Sequence, residues 1–222
     1  MSFALDDGVQ LPLSEQVKEW ILDQISHGVL KPHERIVESM VAGELGVSHA
    51  PVREALKGLE ALGVVDIRPF SGARVHRRTH QEILDAYMVR SELEALAVRV
   101  AMSRKGDFSA LPTLLGDMYH ALAVQDMREL AKVDTKFHEA IIIASGNAEL
   151  LRVWRGIQPR LRAYITLVSP GSDPHWTVSL HPPILEGIVS GDVDRAETAI
   201  ADHFRLARER LEEGLGANDE EN

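Results

Sequence analysis

The chain has 222 residues, enough for one large domain or two modest ones, and its 45% hydrophobic content supports a packed core. It holds no cysteine, which excludes disulfide frameworks and thiolate chemistry and makes a reducing, cytoplasmic address the expectation. No run of roughly 18 apolar residues and no basic-then-apolar leader points to a membrane or to export. The net charge of −10 is uneven: residues 1–78 hold nine Lys/Arg against eleven Asp/Glu, whereas residues 49–78 alone hold six against three. Local charge sets the attraction to phosphates, so an acidic total does not exclude nucleic acid.

Val17, Ile21 and Ile25 recur at four-residue spacing with Trp20 beside them, predicting a first helix that stops at Gly28 and Pro32. A second, short helix fits 38–45 and ends at Gly46. Ser48 is the expected N-cap of a third, with Pro51 tolerated in its first turn. Val52, Leu56 and Leu59 line one face of that helix, and Gly63 ends it. The period then changes: 64–68 and 73–77 read as two short strands around the turn signal Pro69-Phe70-Ser71-Gly72. From His80 onward the pattern is all-helical, with about six helices near 80–103, 108–124, 127–145, 148–168, 179–190 and 192–213. Gly106, Gly146 and Gly191 fall at junctions, 169–174 is the longest loop signal, and 214–222 is an acidic tail. The expected fold is mainly α: a winged helix-turn-helix of three helices and a two-stranded wing, then an all-α antiparallel bundle.

Helix, tight turn, helix and hairpin is the layout of a DNA reader whose third helix enters the major groove. Residues 52, 56 and 59 must face the core, which frees His49, Arg53 and Lys57 on the opposite face at four-residue intervals. An arginine there can donate two hydrogen bonds to guanine O6 and N7. Ser48 and the helix N-terminus suit a phosphate. Gly72 at the hairpin tip, with Arg74, Arg77 and Arg78 behind it, suits a wing against the backbone or minor groove. Exposed basic residues on a helix are also commonly just solvated, and Lys57 alone reads that way.

These residues resemble a known family. Pro32-His33-Glu34-Arg35-Ile36-Val37-Glu38, then Leu45-Gly46-Val47-Ser48-His49-Ala50-Pro51-Val52-Arg53-Glu54-Ala55-Leu56, is similar to the head of GntR-type repressors. So is Leu59-Glu60-Ala61-Leu62-Gly63-Val64-Val65 with Gly72-Ala73-Arg74-Val75. The resemblance covers roughly residues 10–78 and implies DNA contacts from Ser39, Ser48, His49, Ala50, Arg53, Lys57, Gly72 and Arg74. His33 stands where the family often has Gly, and His49 and Ser39 stand where it often has Arg. Arg53 is retained. Fewer fixed charges imply a different base preference or weaker binding.

In the second half, Asp134 and His138 lie four apart on a predicted helix, roughly 5–6 Å between Cβ atoms. His181 opens a later helix and His203 sits in the last. Three imidazoles and a carboxylate form an ordinary first-row divalent set, but spacing alone favours a local Asp–His ion pair and surface or core histidines.

Residues 80–213 resemble the all-helical FCD effector domain of the FadR-type branch, and their six helices the VanR-like subgroup. The matching pieces are Tyr87-Met88-Val89-Arg90 with Leu93-Glu94, Asp134-Thr135-Lys136-Phe137-His138, Ala144-Ser145-Gly146-Asn147, His181-Pro182-Pro183-Ile184-Leu185, and Gly191-Asp192 leading to Asp202-His203-Phe204. The resemblance implies a divalent ion held by Asp134, His138, His181 and His203: zinc as isolated, with Ni, Mn or Fe as alternatives. It also implies a small carboxylate or sugar-acid effector beside Arg90, with Asn147 and Arg162 as weaker candidates; acyl-CoA is disfavoured. Asn147 after Gly146 reads more simply as an N-cap, Arg162 also as a solvated residue, and Trp176 equally as a pocket wall or a loop anchor. The Pro182–Pro183 pair departs from the family; with Ser179 as the cap, both prolines fall in the first turn.

The resemblance thus implies a DNA-binding domain over 9–78 and a ligand-binding, metal-binding and dimerising domain over 79–214. The function it implies is a homodimeric repressor on a palindromic operator, and not an enzyme. Two other classes stay open. One is a metal-dependent hydrolase fused to a DNA-binding head, against which no His-Asp doublet or His-Glu-x-x-His helix is found. The other is an architectural DNA binder whose second half only dimerises.

Overall fold

The computed structural model describes the backbone of residues 11–26, 28–68, 71–77, 79–168 and 173–219, and their side chains except at 80, 159–168 and 214–219. The chain divides into two compact units with a boundary between Thr79 and His80.

In the first unit, α1 (Leu13–Ser26) turns Val17, Ile21, Leu22 and Ile25 inward, as the four-residue spacing requires. β1 (Arg35–Ile36) leads to α2 (Glu38–Leu45), which Gly46 ends in the left-handed conformation at φ 65° while donating its N–H to the Ala42 carbonyl. α3 (His49–Ala61) buries Val52, Ala55, Leu56 and Leu59. β2 (Val65–Arg68) and β3 (Gly72–Val75) close the core with Val65, Ala73 and Val75.

The wing is a three-stranded antiparallel sheet in the order β1-β3-β2, not the two-stranded hairpin expected. Arg35 pairs with Arg74 and Ile36 with Ala73, so β1 covers the edge of β3 that a hairpin would leave unpaired. Just before it, His33 adopts φ 66°, the conformation for which glycine is the usual choice. Its N–H donates to the Val75 carbonyl at 2.9 Å, and its own carbonyl accepts from Arg74 Nη1 at 2.9 Å. The turn residues 69–70 and Arg78 lie outside the described residues.

The second unit is built on α4 (His80–Ser103), α5 (Leu111–Ala123), α6 (Met127–Ala144), α7 (Ala148–Val168, of which residues to Gln158 belong here), α8 (Pro174–Ser179), α9 (Pro182–Ser190) and α10 (Val193–Asp219). Seven helices stand among the described residues where about six were expected. The extra one, α8, lies between the expected loop and the helix expected over 179–190, which itself begins three residues later, at Pro182. Asp173 caps α8 by accepting from the His175 N–H at 2.9 Å, Ser179 ends that helix instead of capping the next, and His181 takes the N-cap position of α9. Pro182 and Pro183 therefore occupy the first turn of α9, where no intrahelical N–H is required. α10 continues to Asp219, past the end expected at 213. Residues 169–172 of the expected loop lie outside the described residues. No helix among the described residues is long and apolar enough to cross a membrane.

α9 and α10 approach closely because Gly187 has no side chain: a Cβ there would lie 2.7 Å from Ala196 Cα and 2.9 Å from Ala196 N. The buried stripe of α4 is Ile83, Tyr87, Arg90, Glu94, Ala97, Val98 and Ala101. An arginine and a glutamate thus sit where the helical period calls for apolar residues.

Candidate metal centre and nucleic-acid interface

Three helical segments deliver the imidazoles: α6 carries His138, the N-cap of α9 is His181, and α10 carries His203. All three are buried, and their ligand-capable nitrogens lie within 4.8 Å of one another. Ring centroids are 5.2 Å apart for His138–His181, 4.8 Å for His138–His203 and 4.7 Å for His181–His203. Phe137 and Phe204 pack edge-on against the cluster and keep it apolar at its back.

Hydrogen bonds set the free nitrogen of two of the rings. His138 Nδ1 lies 2.6 Å from Glu94 Oε2, and His181 Nδ1 lies 3.1 Å from the Thr177 carbonyl. A carbonyl accepts only, so His181 Nδ1 carries a proton, and in the neutral ring a lone pair is left on Nε2. That Nε2 lies 3.1 Å from Asp134 Oδ1 and has no hydrogen bond of acceptable geometry. Two lone-pair atoms at that distance call for a positive charge between them. His203 Nδ1 is likewise buried and unpartnered. The donor set thus fits a divalent ion: neutral imidazoles with orphaned nitrogens, one carboxylate, and second partners that fix ring orientation.

Electrostatics favour the ligating forms of His138, His203 and Asp134. Burial lowers the pKa of His138 against the opposing pull of Glu94, and lowers that of His203 further with help from the neighbouring imidazoles. Burial by itself would raise Asp134, but the neighbouring His181, His138 and Arg90 outweigh it and hold the carboxyl well below the usual carboxylate range.

Glu94 is the hub beside this cluster. It is fully buried, yet three donors compensate it: Arg90 Nε at 2.7 Å and Trp154 Nε1 at 2.9 Å on Oε1, and His138 on Oε2. Burial raises its pKa, but the charges and N–H groups of these neighbours bring it down to about 2. Arg90 lies 5.1 Å over the Phe204 ring and 5.5 Å over Trp154, with Nη2 buried and without a partner. That leaves one guanidinium donor pair for an anion. Gln158 is a second unfilled group: its Nε2 donates to Thr135 Oγ1 at 2.8 Å, whose own proton goes to the Ala131 carbonyl, and its Oε1 is buried with no partner.

The expected ligands His138, His181 and His203 therefore come together, Asp134 adjoins them through His181, and Arg90 joins them through Glu94. Asn147 stands apart in role: its Oδ1 accepts from the Glu149 and Leu150 N–H groups and caps α7. The side chain of Arg162 lies outside the described residues. Trp176 packs under the Arg210 guanidinium at 4.9 Å. Glu94, Trp154 and Gln158 had no role in the sequence reading. Only Glu94 carried a signal, an acid four residues after Arg90 on an otherwise apolar stripe.

In the first unit, Ser39, Ser48, His49, Ala50, Arg53, Lys57 and Arg74 are all exposed and Gly72 is half-buried. Ser48 is the N-cap of α3 but makes no side-chain cap bond, so its hydroxyl and the first-turn N–H groups are open to an outside acceptor. Gly72 holds φ 76° at the hairpin tip. Arg53 is not free in space: its Nε donates to Glu38 Oε2 at 2.8 Å.

Known proteins match both units. The FCD-domain family matches residues 85–206, and the family described as bacterial regulatory proteins, gntR family, matches residues 13–75. The probable D-xylose utilization operon transcriptional repressor of Paenarthrobacter nicotinovorans is 30% identical over 199 residues, covering 86% of this chain and 85% of that protein. The HTH-type transcriptional repressor GlaR of Escherichia coli K12 is 26% identical over 215 residues, covering 90% and 96%. The solved structure of E. coli McbR/YncC superposes with a TM-score of 0.82 at 23% identity, covering 93% of this chain and 100% of that one, which establishes likeness of fold. The chain belongs to the GntR family of bacterial regulatory proteins and is a DNA-binding transcription regulator with an N-terminal GntR helix-turn-helix domain and a C-terminal FCD domain.

Proposed function

We propose that this regulator is a homodimeric repressor whose grip on a palindromic operator is set by a small carboxylate or sugar acid bound at a divalent metal in the FCD domain. The DNA-binding domain spans 9–78 and the effector domain 79–214. One observation carries the metal reading: His181 Nε2, with its proton assigned to the other nitrogen, faces Asp134 Oδ1 at 3.1 Å inside a cluster of three buried imidazoles. His138, His181, His203 and Asp134 hold the ion, zinc as isolated, with Ni, Mn or Fe as alternatives. The bound ion supplies positive charge for an effector carboxylate. Arg90, with an unused Nη2, offers the same carboxylate a charged donor. Glu94 keeps Arg90 and His138 in place.

On the DNA side, the exposed face of α3 with Arg53 and Lys57 reads the groove, Ser48, His49 and Ala50 lie at its N-terminal end, Ser39 stands on α2, and Gly72 and Arg74 bring the wing to the backbone. Twofold protein symmetry calls for a twofold site. Relatives named as repressors of xylose and gluconate operons support a sugar-linked effector. To switch, the effector must bind the DNA-competent and DNA-incompetent states unequally.

The test is a thermal-shift screen of organic and sugar acids on the full chain, with and without added metal, followed by duplex binding with each hit. The proposal expects metal-dependent stabilisation by at least one acid, and weaker duplex binding in its presence. A hit that acts equally on metal-free protein defeats the metal-positioned effector. Hydrolysis of small esters or phosphates would instead favour a hydrolase, and metal-free protein with full duplex binding and no hits an architectural role.

A further inference from the structure

Glu38 opens α2, and its carboxylate leaves its own helix to meet two side chains of α3. Glu38 Oε2 accepts from Arg53 Nε at 2.8 Å and lies 3.9 Å from His49 Nδ1. His49 and Arg53 are exposed, Arg53 at 64%, and Glu38 is half-buried, so the contact contributes little to stability. Its consequence is geometric. A free arginine samples many rotamers, whereas a carboxylate on Nε fixes the guanidinium plane and leaves the two Nη groups for an outside acceptor. A guanine edge offers O6 and N7 to such a pair. The same carboxylate is a negative charge on the face presented to phosphates, which weakens binding to any duplex regardless of sequence.

We propose that Glu38 is a positioning residue for sequence reading, holding Arg53 by Nε for two-pronged guanine recognition while its charge suppresses indiscriminate binding. The proposal rests on the reading of α3 as the DNA-reading helix. It assigns a function to a residue of the preceding helix that itself has no donor for a base acceptor. His49, within reach of the same oxygen, is the second group that Glu38 restrains.

The probes are a duplex enriched by the wild-type full chain from a randomised library, the same duplex with each guanine pair replaced in turn, and poly(dA-dT), which has no O6/N7 edge. Glu38→Ala should lower discrimination at one guanine pair by about tenfold while raising affinity for poly(dA-dT) by about twofold. Glu38→Gln, whose amide oxygen still accepts from Nε, should keep most of the discrimination and show the same rise. In an Arg53→Ala background, replacing Glu38 should change discrimination no further. Full discrimination in Glu38→Ala, or a parallel fall in both affinities with a lowered melting temperature, overturns the proposal. Failure of the wild-type chain to enrich any duplex overturns the reading of α3 itself, which separates the two.

Discussion

Glu94 Oε2 lies 2.6 Å from His138 Nδ1, across 44 residues of sequence and between α4 and α6. The contact puts a fully buried carboxylate behind a metal-ligand candidate, with Arg90 and Trp154 holding its other oxygen. It fixes both the ring orientation and the nitrogen left free, which a ligand set requires and a surface histidine lacks.

Replacing Glu94 therefore separates charge from shape. Glu94→Ala leaves Arg90 buried without its partner, a loss of about 3–5 kcal/mol, and lets the His138 ring turn. Glu94→Gln can still accept from Arg90 and Trp154 and should unfold at milder loss. Both should weaken metal binding by about 10–100-fold, read by competition with a chromophoric chelator. Metal affinity unchanged in Glu94→Gln would show that His138 is oriented by packing alone.

Removing the metal tests whether the cluster binds one at all. An ion bound only by the folded state raises the melting temperature by mass action, so a chelator should lower it in the wild type. His203→Ala removes one of the three imidazoles, and its melting temperature should be the same with and without chelator. Equal chelator sensitivity in both proteins would place the ion elsewhere.

How much of this was legible in the sequence differs between the two units for physical reasons. The head follows local rules: apolar spacing at 17, 21 and 25 and again at 52, 56 and 59, with Gly46 as the stop. Even the departure at His33 was readable, because a residue where glycine is usual implies the positive φ that is found. β1 was missed because two residues show no alternation; Arg35–Ile36 is a strand only because β3 offers an edge. The ligand residues were visible as types, but their convergence was implied by family likeness and not by spacing. α8 was missed because six residues next to a loop signal are too short to show a helical period, and the start of α9 was set too early because the proline pair fits a cap at either Ser179 or His181. Glu94 carried a faint local signal, but its partners His138 and Trp154 are 44 and 60 residues away, and no pattern along one helix reveals them.

Gly187 supplies a test of how the cluster is held. It sits on α9, which begins beside His181, and packs against Ala196 on α10, which also carries His203. Gly187→Ala would force the helices apart, since the obstacles are backbone atoms of Ala196 at 2.7 and 2.9 Å. Overpacking of this kind destabilises by about 1–3 kcal/mol. Metal affinity should fall as well, because His181 and His203 ride on the two displaced helices. Ala196→Gly should not rescue either property, as it removes only the Cβ at 3.2 Å and leaves the backbone in place. Restored metal binding in the double variant would show that the helices yield without moving their ligands.

His33 offers a gain instead of a loss. At φ 66° a side chain with a Cβ is strained by about 1–2 kcal/mol, and glycine relieves this at an entropic cost of about 0.5–1 kcal/mol in the unfolded chain. The N–H to Val75 and the carbonyl to Arg74 are backbone groups and survive the change. His33→Gly should therefore stabilise the head by up to about 1.5 kcal/mol, a rise of several degrees for a unit of this size. Calorimetry of the full chain reads the shift directly, with the FCD transition as an internal control because His33 lies in the other unit. A head transition that moves down would mean that the imidazole makes a contact worth more than the strain.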